Sequence, residues 1–187
     1  MRAHYKASLM LFSLLLAACR SEPVRYYTLT PPFSAVPGAG QPALAVQLER
    51  VKVPPQVDRT QIVVRPSGNE LVILDTQWWA ANLADEVRSA LNSELNVKAV
   101  PGQKTLLRVD VQRFELVPGR YAILDTLWRI RPALTGSGPM DELTCQTVFQ
   151  TRSGSTVEDL VAAQIQNMQK LATSISAVSG SSVKSCP

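Results

Sequence analysis

Histidine is almost absent from these 187 residues: the single one is His4, and only three cysteines accompany it. His4 stands within the first 18 residues, where a basic head (Arg2, Lys6) and an apolar run (Leu9 to Leu16) read as a secretion signal that is removed. The domain that remains has no imidazole for general-base work, a Ser/His/Asp triad or metal ligation. Cys145 and Cys186 have no third or fourth ligand near them in the sequence, which argues against zinc, and no glycine-rich phosphate loop follows a strand. No cofactor and no metal are expected. Long apolar runs are missing too, since the run ending at Leu16 falls short of the ~20 residues a spanning helix needs. An excess of one charge is lacking as well. Lys and Arg number 19 against 15 Asp and Glu, and loss of residues 1–18 takes Arg2 and Lys6 but no acid, leaving 17 against 15. With no basic cluster interleaved with aromatics, nucleic acid is not an expected partner.

What is present begins at the end of that signal. Leu16-Ala17-Ala18-Cys19 resembles the bacterial lipobox, whose small residues admit the signal peptidase before a lipidated cysteine. Cys19 is therefore expected to be the lipid-bearing first residue. Acyl burial contributes about 0.8 kcal/mol per methylene, so several chains hold a domain on a membrane without a spanning helix. Residues 19–187 suffice for a single domain with a hydrophobic core. In an oxidising compartment the remaining Cys145 and Cys186 either pair as a disulfide or stay as two free thiols.

Along the mature chain, Tyr26-Tyr27-Thr28-Leu29 reads as a short strand stopped by Pro31-Pro32, and residues 33–42 as a loop. Alternation predicts a strand over 44–53 with an irregularity near Arg50. Two β-rich runs, 61–65 and 70–74, flank Pro66-Ser67-Gly68-Asn69 as a hairpin. From Trp79 the period changes: Trp79, Leu83, Val87, Ala90, Leu91 and Leu95 fall at helical spacing, with Asn82, Asp85 and Glu86 on the polar side, which predicts a helix over 77–96. Pro101-Gly102 is expected to break the chain. A meander follows, of strands over 106–117, 121–130 and 142–152 with a loop from Pro132 to Pro139. Ser155-Thr156-Val157-Glu158 has the form of a capping box and predicts a second amphipathic helix over 156–178. Two striped helices and strands with one apolar face give an α+β class, a two-layer sandwich of a mostly antiparallel sheet with both helices on one face.

Several side chains ask for a role. The chemistry left open is a Ser/Lys hydrolase or a two-carboxylate glycosidase using Asp141, Glu142, Glu158 or Asp159. Glu158 and Asp159, however, fall in the first turn of a helix, where negative charge favours the helix dipole. The domain is therefore read as non-enzymatic. Trp79 lies on the apolar stripe and is expected in the core, as is Trp128, whereas Trp78 lies off the stripe and is free to face a partner. Asp58-Arg59 reads as a local ion pair or part of such a contact. Ile73-Leu74-Asp75-Thr76-Gln77-Trp78 recurs as Ile123-Leu124-Asp125-Thr126-Leu127-Trp128, read as chance or shared strand-end chemistry because the first copy is expected to lead into a helix.

Taken together, the lipobox at Cys19, Tyr26-Tyr27-Thr28-Leu29, Val51-Lys52-Val53-Pro54 followed by Val57-Asp58-Arg59-Thr60-Gln61-Ile62-Val63, and Trp78-Trp79 with the helix to Leu95 resemble the ABC-type transport auxiliary lipoprotein family, the PqiC/YmbA-like proteins of Gram-negative envelopes. At Gln56-Val57 the chain departs from the aromatic or leucine-rich approach expected before the Asp-Arg pair. The resemblance implies a non-catalytic component tethered to the periplasmic face of the outer membrane. Its implied partners are an MCE-domain protein and an inner-membrane permease that move lipid or other apolar molecules. Arg20 after the cysteine is not the Asp that retains many lipoproteins in the inner membrane. Two roles compete: an adaptor docking the MCE assembly to the outer membrane, and a lipid-binding carrier or lipoprotein chaperone with its own apolar cavity.

Overall fold

The structure, a computed structural model, describes residues 22–30, 43–95, 99–132, 142–179 and 185–187. The signal (1–18), Cys19, the loop over 33–42, the loop after Pro132 and Asp141 lie outside the described residues. In chain order the elements are β1 (Arg25–Tyr27), β2 (Ala43–Lys52), β3 (Gln61–Val64), β4 (Val72–Trp79), α1 (Leu83–Leu95), β5 (Ala99–Val117), β6 (Tyr121–Pro132), β7 (Leu143–Arg152) and α2 (Val157–Ser179). The class is α+β, and the strands divide between two sheets. The large sheet has the order β2-β5-β6-β7 and the small one β1-β4-β3. The expected hairpin and meander are antiparallel throughout, while β1 on β4 and β2 on β5 pair in parallel.

Both helices pack on one face of the large sheet and against each other. The core forms there because alternate residues of the strands turn the same way. Leu107, Val109 and Val111 of β5, Leu124 and Trp128 of β6 and Cys145 of β7 meet Leu83, Val87 and Leu91 of α1 and Leu160, Leu171 and Ile175 of α2, all buried. Two buried amides fasten α2 to the sheet. Gln164 donates to the carbonyl of Ile123 (2.9 Å) and Asn167 to that of Ala122 (3.1 Å). The small sheet joins the large one through an edge-to-face contact of Trp79 with Phe114 and a hydrogen bond from the Arg65 amide to the Leu116 carbonyl (2.8 Å). Between β5 and β6 the Val117 carbonyl accepts from the Arg120 amide, and Gly119 supplies the φ of 71° that this turn requires.

The structure corrects the sequence reading in four places. The first helix starts at Leu83, not at residue 77, because the Trp79 amide still bonds to Thr60 and the Ala80 amide to Tyr27 across the small sheet. Trp79 and Leu83 continue one apolar spacing only because a strand end and a helix start face the same core. Pro101-Gly102 does not break the chain. The strand runs through, and the register jumps from Leu44↔Val100 to Ala45↔Lys104, so the extra residues are absorbed as a bulge. A second shift between Leu48 and Arg50 is the irregularity expected near Arg50. The capping box lies one residue later, where the Thr156 hydroxyl accepts from the Asp159 amide (3.1 Å) and the Asp159 carboxylate accepts from the Thr156 amide (3.4 Å) and hydroxyl (2.7 Å). Lastly, the first copy of the repeated hexapeptide leads into α1 as expected but lies wholly within β4, as the second lies within β6, so Gln77 and Trp78 are strand residues.

Candidate functional site

The small sheet carries the features that point outward. Its edge strand β1 is three residues long, too short to hold by ladder bonds alone, and three side-chain ties fix it. Glu86, only 4% exposed, accepts from the Thr28 hydroxyl and the Leu29 amide, both at 2.8 Å. The spacing alone puts Glu86 on the polar side of its helix. It instead takes a place beside Leu83 and Ala90 on the buried stripe, because two donors from the segment after β1 converge on its carboxylate. The Tyr27 hydroxyl lies 2.8 Å from Gln77 and 2.8 Å from Glu158. Arg25 completes the set with a loose, exposed ion pair to Glu158 at 3.4 Å.

These contacts set the protonation behaviour of the pair. Burial, then the hydrogen bond to Glu158, pushes the Tyr27 hydroxyl above its usual value. The backbone amide of Glu158 itself, followed by the Tyr27 hydroxyl and Arg25, holds the Glu158 carboxyl below the usual range. Glu158 is thus a clamp between α2 and β1, and Asp159 is a helix cap. Glu142 pairs weakly with Arg129 at 3.9 Å. These acids do not converge on one cleft, and among the described residues no group of three or more His, Cys, Asp or Glu side chains is placed to hold a metal ion.

Outside the core, β1 and β4 present aromatics. Tyr26 pairs in register with Trp78, and their rings meet edge to face at 6.3 Å. Tyr26 is 66% exposed; Trp78 is half-buried and its indole N–H donates to the Asp75 carbonyl (2.8 Å). Trp78 therefore stands on a strand, not on a helix face, while Trp79 beside it turns inward and is buried. Asp58 and Arg59 are close by along the backbone: Gln61 pairs with Trp78, and the Thr60 carbonyl accepts from the Trp79 amide at 2.6 Å. The structure thus brings Trp78, Asp58 and Arg59 to one end of the small sheet. Asp58 is exposed and Arg59 half-buried, and among the described residues no ion pair joins them. Sequence reasoning missed Tyr26, whose signal was only its place next to Tyr27 in a strand, where neighbours face opposite ways.

Two further features bound the chemistry. A cleft of about 250 Å³ opens between the two sheets, lined by Val57, Val63, Arg65, Leu71, Phe114 and Leu116. Arg65 reaches Glu115 at its rim at 3.4 Å. On the large sheet's outer face Glu49 takes both Arg108 (2.8 Å) and Arg131 (3.1 Å), which hold its carboxyl below the usual range despite the opposing effect of burial. On the large sheet, Cys145 and Cys186 are joined by a disulfide with their Cα atoms 5.5 Å apart, which ties Cys186 to β7.

The model of a family described as the ABC-type transport auxiliary lipoprotein component matches residues 27–176. No curated protein matches the chain. A crystal structure of an uncharacterized protein superposes with a TM-score of 0.62 at 17% identity, covering 83% of this chain and 98% of the other. A Xanthomonas campestris protein of the family called DUF330 superposes with a TM-score of 0.59 at 15% identity, covering 82% and 94%. At such identities the two structures speak for the fold alone.

Proposed function

The chain belongs to the ABC-type transport auxiliary lipoprotein component family, and from that premise we propose that it is a non-catalytic adaptor anchored by a lipid on Cys19 to the periplasmic face of the outer membrane. There it docks an MCE-domain protein, and through it an inner-membrane permease, using protein surface in place of a reactive site. The observation that carries this reading is the small sheet. The element nearest the tether, β1, is clamped to both helices by Glu86 and Glu158, and the exposed end beside it gathers Tyr26, Trp78, Asp58 and Arg59. A contact surface held rigidly next to an anchor suits docking. Among the described residues no helix is long and apolar enough to cross a membrane, so attachment is assigned to the lipid.

The carrier reading is not favoured. A cleft of about 250 Å³ with Arg65, Gln112, Arg113 and Glu115 among its lining residues falls below the roughly 300–1,000 Å³ of small-molecule pockets and is not continuously apolar. The test is in vivo crosslinking of the acylated protein in its own envelope, with mass spectrometry of captured proteins and lipids. Capture of an MCE-domain protein with little bound lipid is the expected result, and stoichiometric lipid without that protein would overturn the adaptor. In parallel, Cys19→Ala is expected to leave a folded domain that no longer sediments with membranes. An unchanged membrane fraction would sink the anchor.

A further inference from the structure

Five large hydrophobic side chains are exposed among the described residues, and four of them, Val24, Tyr26, Leu71 and Ile73, lie on or beside the small sheet. Only Val148 belongs to the large one. Within β4 Trp79 is buried while Trp78 is not, and Trp78 is in register with the exposed Tyr26 of β1. At this end the small sheet therefore has one face on the core and one face on which large aromatic groups meet solvent. Exposed apolar side chains gathered in one place mark an interaction surface, whereas scattered ones do not.

The chain itself says what lies opposite. Tyr26 follows Cys19 by seven residues, a reach of at most about 25 Å for a fully extended chain at ~3.3–3.6 Å per residue. If Cys19 carries the anchor, this face cannot be far from the bilayer surface, and no comparably short path ties the outer face of the large sheet to it. The side chains match that position chemically. Tyr and Trp have an apolar body and a polar edge and are enriched at the level of lipid headgroups. Arg25 turns to the opposite side of β1, toward Glu158, and takes no part in this face. Asp75 is the acid on this strand, and its carbonyl holds the Trp78 indole in place.

We propose that this face of the small sheet rests in the headgroup layer of the membrane that holds the lipid, with Tyr26 and Trp78 as interfacial anchors. The proposal rests on the lipidated adaptor described above and divides its contact surface, giving Tyr26 and Trp78 to the membrane and leaving Asp58 and Arg59 at the end of the sheet to the MCE-domain protein. The domain is then oriented by two attachments, the acyl chains and the aromatic face, and is not left swinging on a flexible tether. The rest of its surface is left for the transporter.

The test uses the acylated full-length protein in vesicles of phosphatidylethanolamine and phosphatidylglycerol, some of the lipid carrying bromine on the acyl carbons nearest the headgroup. Trp79 and Trp128 are buried, so quenching by bromine reports Trp78. Loss of up to a third of the emission, the share of one of three tryptophans, is expected in the wild type and not in Trp78→Phe, a change that keeps the ring against Tyr26. Flotation with the vesicles but equal emission with and without bromine would overturn the membrane contact while leaving the anchor intact. Failure to float would overturn both. Trp78 shielded from bromine yet crosslinked to an MCE-domain protein would assign the face to that protein and refute the proposal.

Discussion

Removal of the Glu86 carboxylate is expected to cost far more than the loss of a helix-surface acid, because the structure places it inside. Its one oxygen, Oε2, takes both the Thr28 hydroxyl and the Leu29 amide at 2.8 Å. A hydrogen bond to a charged group contributes roughly 1.5–3 kcal/mol net. In Glu86→Ala the Leu29 amide, next to a side chain with no exposure, loses its acceptor where water has poor access. A loss of about 3 kcal/mol follows from the two bonds together. Glu86→Gln keeps an oxygen for one donor and loses the charge, so about 1 kcal/mol is expected. For a domain of this size each kcal/mol moves Tm by roughly 2–4 °C, which puts Glu86→Ala about 6–12 °C below the parent. The assay is thermal and urea unfolding of the mature domain carrying Cys19→Ser, followed by far-UV circular dichroism. Amide exchange at Ala80, which donates to the Tyr27 carbonyl, should accelerate with it as β1 frays. Loss of less than 1 kcal/mol in Glu86→Ala, or equal losses in the Ala and Gln variants, would refute the reasoning.

The disulfide between Cys145 and Cys186 spans 41 residues, and the chain-entropy relation gives about 4 kcal/mol for a loop of that length; reduction should lower the unfolding midpoint accordingly, and an intact mass heavier by two hydrogens should mark the reduced form. The β1 clamp should be stable across a wide pH range with two limits. Glu158 is held below its usual 4.5, so its contribution is present above pH 4.5 and is lost as pH falls through the lowered value. Tyr27 is raised above 10.0, so its contribution is complete below pH 10 and is lost as pH rises through the raised value. Tyr27→Phe should remove the alkaline limb of a stability–pH curve and weaken the acid one, whose largest source, the Glu158 backbone amide, remains; an unchanged alkaline limb would show that the clamp is not its source. At the second helix, Thr156→Ala should cost about 1 kcal/mol by removing the cap, whereas Ser155→Ala should be silent; the reverse order in a urea titration would restore the cap to Ser155.

Much of the fold was legible because periodicity reports which face of an element is apolar. The 61–74 hairpin, the three-stranded meander, both helices and the buried places of Trp79 and Trp128 all follow from spacing. What spacing does not report is which elements are neighbours. The parallel pairs β1 on β4 and β2 on β5 join segments about fifty residues apart, as Tyr27↔Trp79 and Val51↔Val109 show, and no local signal marks them. The split into two sheets follows from the same non-local pairing. The helix start failed for a different reason: Trp78-Trp79 is aromatic, and aromatics favour a pleated surface, but the spacing of Trp79 to Leu83 hid that preference. At the candidate surface, Trp78, Asp58 and Arg59 were legible as residues without a core role. Tyr26 and Glu86 were not, since each acquires its significance from a partner, Trp78 or Leu29, more than fifty residues away.

The way β1 is held bears on why a transport component would keep so small a strand. In the proposed adaptor a load applied through the tether enters the domain at Val24 and Arg25, and three residues of edge strand, marginal on their own, would peel from β4 unless other ties shared it. Glu86 belongs to α1 and Glu158 to α2, so the two bonds lead from β1 into both helices, and those helices lie on the large sheet with buried amides from Gln164 and Asn167. A pull on the anchor is thereby distributed over the main core in place of one ladder. A domain whose only task was to bind a ligand in a cleft would gain nothing from this arrangement, whereas one that couples a membrane to a second assembly depends on it.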